Sequence, residues 1–308
     1  MNTKIAKKVL MKNFYNSEFS STKYAKIIGD IYHYTSVDGI IGILKNKELW
    51  FTNIYFLNDN QELFYTYKLI NEVVKEIKND LSKTFYEKIK ARKNYLLSED
   101  YFDNESNVWG RQEYYVASFS TDKDSLTLWN YYTKSDTTGY NICFKDYAFC
   151  DHSVAQGKIC YNRIEQKQML KDTILKYNKK YNNAPNNEKK NIIRELFYNF
   201  IIYSLFFKNE KYMIENEYRI VMPVCNSSTD EEENCYYRHK KGLIIPYIKF
   251  DLNKLKNNAT QHLGQIIDKI KISPLNQGNI TKYGVTRLAH CADLYDCEIT
   301  FSEADMKY

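Results

Sequence analysis

Apolar positions along the chain follow helical spacing in some stretches and alternate as strands in others. Val37, Ile40, Ile41 and Leu44 lie three and four apart with Asp38 in the first turn, so a helix should start directly after Thr35 or Ser36 as its cap. Tyr32, His33 and Tyr34 suit a short strand beginning at Ile31, which delivers the histidine at a strand end beside a helix start. Leu49-Trp50-Phe51-Thr52 reads as a second strand. The loop Asn58-Asp59-Asn60-Gln61-Glu62 then opens a long helix marked by Leu63, Tyr67, Ile70, Val74 and Ile77, and helical spacing continues toward Ser98.

Tyr114 to Ser120 alternates as a strand, and a loop carrying Asp122 and Asp124 leads into a helix with Leu126, Trp129 and Tyr132. Gly139 to Phe144 and Gly157 to Tyr161 are strand candidates. From about residue 165 to 207 two polar-faced helices flank the break at Asn182 to Asn187, the pattern of an inserted helical hairpin. Strand spacing returns at Glu217 to Met222, at Gly242 to Phe250 after the acidic loop Asp230 to Glu233, and at Ile266 to Ser273. Pro274, a helix through His290 and a strand at Glu298 to Phe301 complete the pattern. Residues 1–30 read as a polar lead-in or short helix, and 31–308 as a single domain. Strands interrupted by helices without regular βαβ alternation predict an α+β class.

Composition bounds the function without naming it. Apolar residues make up 44% of the 308, enough for a substantial core, while only 10 Gly and 4 Pro argue against long linkers. The 44 basic and 38 acidic residues leave a net charge of +6, which suits a dinucleotide or nucleic acid without requiring either. Seven cysteines with no C-x-x-C pair point to reduced thiols rather than disulfides or a zinc knuckle, and His290-Cys291 with Cys297 lacks a fourth ligand. With no apolar run suited to a signal peptide or a membrane span, the expectation is a cytoplasmic protein without a membrane partner. No G-x-G-x-x-G, Walker loop or G-x-S-x-G elbow occurs.

Three sets of residues carry candidate chemistry. Glu215 and Glu217 are two apart, so a strand would hold both carboxylates on one face within about 7 Å, where they can take different roles on a glycosidic bond or simply pair with Arg219 or a lysine. His33, Tyr34 and Thr35 gather donors before a helix N-terminus, suited to ribose hydroxyls and phosphate. Ser118, Ser120 and Thr121 end the middle strand, with Trp129 and Tyr132 following on one helix face. Asn58, Asp59 and Glu62 form a further polar set that reads as a cap or scaffold rather than a metal site.

In order, His33-Tyr34-Thr35, Gly39 and Gly42, Leu49-Trp50, Asn58-Asp59 with Glu62, Phe119-Ser120, Trp129 with Tyr132, Gly139 with Phe144, and Glu215, Glu217 and Arg219 resemble the DUF2971 family of bacterial proteins. The resemblance spans about residues 31–273; it departs at Met213-Ile214, where an aromatic is usual, and in a longer 165–207 region. That family is similar in turn to ADP-ribosyltransferases of the H-Y-E type. The resemblance implies a split two-sheet α+β core that holds NAD as substrate, without a metal. It also implies that His33 bonds the adenosine ribose, Tyr34 and Thr35 line the cleft with Ser118, Ser120 and Arg219, and Trp129 or Tyr132 stacks on nicotinamide. Glu217 would bind the nicotinamide-ribose hydroxyl and Glu215 would place the acceptor, a protein or nucleic acid. A toxin or anti-phage effector with a regulatory partner or antitoxin is the implied setting. The rival expectations are a nuclease or nucleic-acid-binding effector using His33, Asp59, Glu215 and Glu217, and a non-catalytic interaction module.

Overall fold

A computed structural model describes residues 12–304 except 27–28, 58–61, 97–111, 133–137, 150–153, 226–234, 241, 256–262 and 276. The fold is mixed α+β. Its strands are β1 (Ile31–Ser36), β2 (Glu48–Asn53), β3 (Gln112–Ser120), β4 (Gly139–Phe144), β5 (Ala155–Lys158), β6 (Glu217–Cys225), β7 (Tyr236–Lys240), β8 (Leu243–Asp251), β9 (Ile267–Ile272) and β10 (Glu298–Phe301). The helices are α1 (Val37–Asn46), α2 (Glu62–Glu76), α3 (Lys83–Leu96), α4 (Leu126–Tyr132), α5 (Arg163–Asn183), α6 (Asn186–Phe206) and α7 (Asn279–Cys291). Ser36 caps α1 by accepting from the Gly39 amide, and Lys47 closes the helix in the left-handed region at φ 54°.

The ten strands among the described residues form one connected network that forks at β3. One edge of β3 pairs with β6 over its full length, from Gln112 opposite Cys225 to Ser120 opposite Glu217. The other edge is shared. β1 meets it at Ser120 and then peels away; after α1 the chain returns as β2, which pairs at Tyr115 and Val116. One branch continues β1-β4-β9-β10 and the other β2-β8-β7, leaving a gap in the ladder beside Ala117 to Phe119.

Strand alternation gives the sheet two faces with separate cores. Val116 and Val221 face α2, α5 and α6, meeting Leu69, Val73, Leu170, Ile174 and Phe206. Tyr115, Ala117, Phe119, Tyr218 and Ile220 face the opposite layer with α1 and α7. The α5–α6 hairpin is therefore half of the core rather than an appendage. Residues 12–26, polar on average, also belong to the first core through buried Phe14 and Phe19, the latter stacked on Phe206 at 4.7 Å. Their crossing explains Gly157 on β5, where an added Cβ would lie 2.8 Å from the Tyr24 carbonyl oxygen. Gly157→Ala is expected to lower stability by about 1–3 kcal/mol in urea unfolding. A neutral result would mean that the N-terminal segment is not seated there.

Candidate active site

The Glu217 side chain is 5% exposed and is held by four hydrogen bonds on the face of β6 that looks toward α6. Ser118 Oγ donates to Oε1 at 2.7 Å from the neighbouring strand. Arg219, two residues on and fully buried, donates Nε to Oε1 at 2.6 Å and Nη2 to Oε2 at 3.0 Å, a bidentate clasp permitted by the two-residue strand repeat. Its Nη1 donates to the Leu205 carbonyl at 3.0 Å, tying β6 to the end of α6. Lys208 completes the set at 3.1 Å from Oε2. Burial alone would raise the Glu217 pKa, but the charges of Arg219 and Lys208 and the donors around it overcome this and bring it down to about 2.

Glu215 does not lie on the strand. It ends a 3₁₀ turn over Glu210–Glu215, and Asn216 then takes the left-handed conformation at φ 43° before β6 begins at Glu217. Asparagine tolerates that conformation, so the two glutamates are not neighbours on a strand face as their spacing predicts. Lys208 reunites them, with Nζ 2.6 Å from Glu215 and 3.1 Å from Glu217.

His33 occupies the fork. Tyr32 pairs with Ser120 and Ser120 with Glu217, so these three share a face, whereas His33 is one step out of phase. Its ring lies 5.4 Å from Phe119, on the opposite face. His33 and Glu217 are thus not two walls facing each other, as the resemblance implies; they are joined through Ser118. His33 Nδ1 donates to the Ser118 carbonyl at 3.1 Å, satisfying an acceptor left by the gap in the ladder, while Ser118 Oγ holds Glu217. A carbonyl can only accept, so Nδ1 carries the proton and Nε2 presents its lone pair.

Burial lowers the His33 pKa below its ordinary value. The unfolded chain therefore takes up a proton that the folded chain refuses, and stability should fall as pH drops from about 6.5 toward the lower folded value. His33→Phe is expected to cost about 1–3 kcal/mol by leaving the carbonyl unpaired, and to remove this pH component. Urea unfolding at pH 5 and pH 7.5 reads both; an unchanged pH dependence would contradict the assignment.

The aromatic residues divide by exposure. Trp129 is fully buried, edge-on to Tyr34 at 4.8 Å, and donates Nε1 to Asp124 at 2.8 Å, so it is not open for stacking on a ligand. The Tyr34 hydroxyl is engaged in donating to the Asp122 carbonyl at 2.9 Å and accepting from the Ser125 amide at 2.8 Å. Thr35 is buried on the face of His33. Ser120 Oγ donates to the Glu215 carbonyl at 2.9 Å, fixing the turn before β6. Of the two rings expected to stack, Tyr132 is the accessible one: 36% exposed, with its phenol raised to about 12 by burial and by the Glu217 and Glu215 charges.

Lys208 and Asp124 were not anticipated. Lys208 ends the apolar run from Phe200 to Phe207, and a lone cation in that position is the signal that marks it. Asp124 accepts from Trp129, Ser302 and Lys271 at 2.8, 2.6 and 2.9 Å, binding α4 to the end of the chain and to β9. Asn58, Asp59 and the acidic loop Asp230 to Glu233 lie outside the described residues. Among the described residues Asp30, Cys143 and Asp268 lie within reach of a common ion, and Lys145 already bridges the two aspartates at 3.0 and 2.6 Å. Cys143, Cys160, Cys235, Cys291 and Cys297 are free thiols, and no described helix is long and apolar enough to cross a membrane.

No protein-family model, curated protein or solved structure matches the chain. Functional assignment therefore starts from the geometry around Glu217.

Proposed function

We propose that the chain consumes NAD, transferring ADP-ribose to an acceptor or to water, with Glu217 at the reacting ribose. The observation that carries this reading is an ionised carboxylate held in one orientation by Ser118 and Arg219, beside the half-open Tyr132 ring. A carboxylate fixed in this way can stabilise positive charge developing at the anomeric carbon, and it accepts from a ribose hydroxyl in place of one of its present donors, Lys208 being the one already shared with Glu215. The glycosidic bond breaks with its electron pair passing to the pyridinium nitrogen, nicotinamide leaves neutral, and the acceptor oxygen bonds the anomeric carbon as it loses its proton. Glu217 is too acidic to take that proton. In this reading Glu215, the more exposed carboxylate with 22% of its side chain accessible, takes the acceptor proton.

The fork of the one connected sheet into two branches at β3 is compatible with the same reading, whose expected core is a split two-sheet one. In this reading His33 is a positioning residue that fixes the Ser118 backbone from the other side of the fork. The cytoplasmic setting, the effector role and the regulatory partner stand as parts of the same proposal.

A second reading is favoured by one observation: the charged set is internally satisfied, with Arg219 fully buried and bonded to Leu205. In that case the cluster is a structural clasp in a non-catalytic module. Incubation with labelled NAD and cell lysate, following nicotinamide release and transferred label separately, distinguishes the two. Release above background supports NAD consumption; its absence, with no rise in Tm on adding NAD, supports the clasp.

A further inference from the structure

The β2-β8-β7 branch carries a second polar face, on strands other than the one that holds Glu217. Trp50 and Tyr247 stack at 4.3 Å with a 28° interplanar angle, and Tyr236 on β7 continues the row at 5.7 Å from Tyr247. The pairings Thr52 with Tyr247, Trp50 with Lys249 and Tyr236 with Tyr247 put these side chains on one face. Tyr247 is the buried middle of the row, while Trp50 and Tyr236 are 37% and 39% exposed at its ends. Two cations line the same row. Lys249 Nζ sits 4.6 Å over the Tyr236 ring, and the Arg238 guanidinium lies 6.0 Å from Trp50 and 5.9 Å from Tyr247.

Arg238 is the informative member. Its Nη2 donates to Thr52 Oγ1 at 2.8 Å, its buried Nε has no partner, and no carboxylate among the described residues pairs with it. Burial lowers its pKa below the ordinary arginine value. A half-buried guanidinium with no carboxylate partner among the described residues suits an anion supplied from outside. Glu48 engages Lys249 at 3.1 Å but does not reach Arg238.

We propose that this face binds single-stranded nucleic acid, with unpaired bases on Trp50 and Tyr236 and a backbone phosphate at Arg238. Open rings at the ends of a row suit bases, which stack regardless of sequence; interleaved cations suit the phosphates between them. A duplex keeps its bases stacked inside and cannot use the rings. An acidic peptide would use the cations but leave Trp50 and Tyr236 without flat partners. A second copy of the chain, added along β7, would pair backbone groups and leave Arg238 unanswered.

Fluorescence anisotropy of labelled dT12 and U12 with the full chain tests this. Binding of either strand is expected, weakening linearly in log Kd against log salt and much weaker for a 12-base-pair duplex. Trp50→Ala and Tyr236→Ala should each weaken it about tenfold, and Arg238→Gln should weaken it and flatten the salt slope. Because Trp50→Ala removes packing from Tyr247, Trp50→Phe provides a second readout, with more than half of the binding retained. Several results would overturn the proposal: no binding of either oligonucleotide, equal binding of duplex, equal competition by poly-glutamate, or unchanged binding in all three weakened variants with native circular dichroism. Self-association that survives Arg238→Gln and excludes the oligonucleotide would assign the face to a second copy instead. None of these outcomes depends on NAD turnover, so the two proposals stand or fall separately.

Discussion

Glu217→Gln is expected to reduce nicotinamide release by about 100- to 1,000-fold, the loss seen when one fixed electrostatic group at a reacting centre is removed. It is also expected to destabilise the fold. The glutamine keeps an oxygen for Ser118 but leaves Arg219, fully buried, with half of its partner and without the opposing charge. Breaking a buried pair from one side costs about 3 kcal/mol or more, which corresponds to a Tm lowered by roughly 5 °C or more in a chain of this size. Turnover must therefore be measured well below the lowered Tm. The acid side provides an independent reading. Because the folded pKa is about 2, Glu217 stabilises the fold fully above its unfolded value near 4.3, and that stability is lost as pH falls toward 2. Glu217→Gln should lack this component. Wild-type turnover in a folded Glu217→Gln would remove the catalytic role, and an unchanged acid profile would remove the ionised cluster itself.

Arg219→Leu is expected to be the most damaging single replacement for stability, at about 3–5 kcal/mol by denaturant unfolding. It deprives Glu217 of the bidentate clasp and the Leu205 carbonyl of a donor in the same step. Lys208 remains, but it is already shared with Glu215. The double replacement Glu217→Leu with Arg219→Leu removes the buried charges together. It should be less unstable than the sum of the single changes by about 2 kcal/mol. Additive losses would mean that the two side chains do not interact and that the clasp is not a unit.

Where local signals set the structure, the sequence was readable. The 3-4 spacing after Ser36 and its capping hydroxyl place α1, and the alternation from Tyr114 to Ser120 places β3. Glu217 and Arg219 on one face also follow from spacing. Glu215 escapes because one left-handed residue, Asn216, resets the chain between two identical side chains, which periodicity cannot anticipate. Phe14 and Phe19 escape because lysine, asparagine and serine surround them, and the hydrophobic surface they cover belongs to α6. The phase of His33 relative to Glu217 depends on how β1, β3 and β6 pair, a long-range property that neither strand encodes alone. The Trp50 face was hidden for the same reason, since its three rings come from three strands.

The forked sheet also orders events in time. Ser118 and Glu217 are 99 residues apart, and the whole α5–α6 hairpin lies between them. The hairpin can form from neighbouring segments, whereas the β3–β6 ladder must close that long loop before any of its pairings is rewarded. His33 comes from a third distant segment and can reach the Ser118 carbonyl only after β1 has docked beside it. The charged residues from Lys208 to Arg219 lie close together in sequence and can meet early, but Glu217 gains its Ser118 donor, and the Ser118 carbonyl its histidine, only once β3, β6 and β1 have docked.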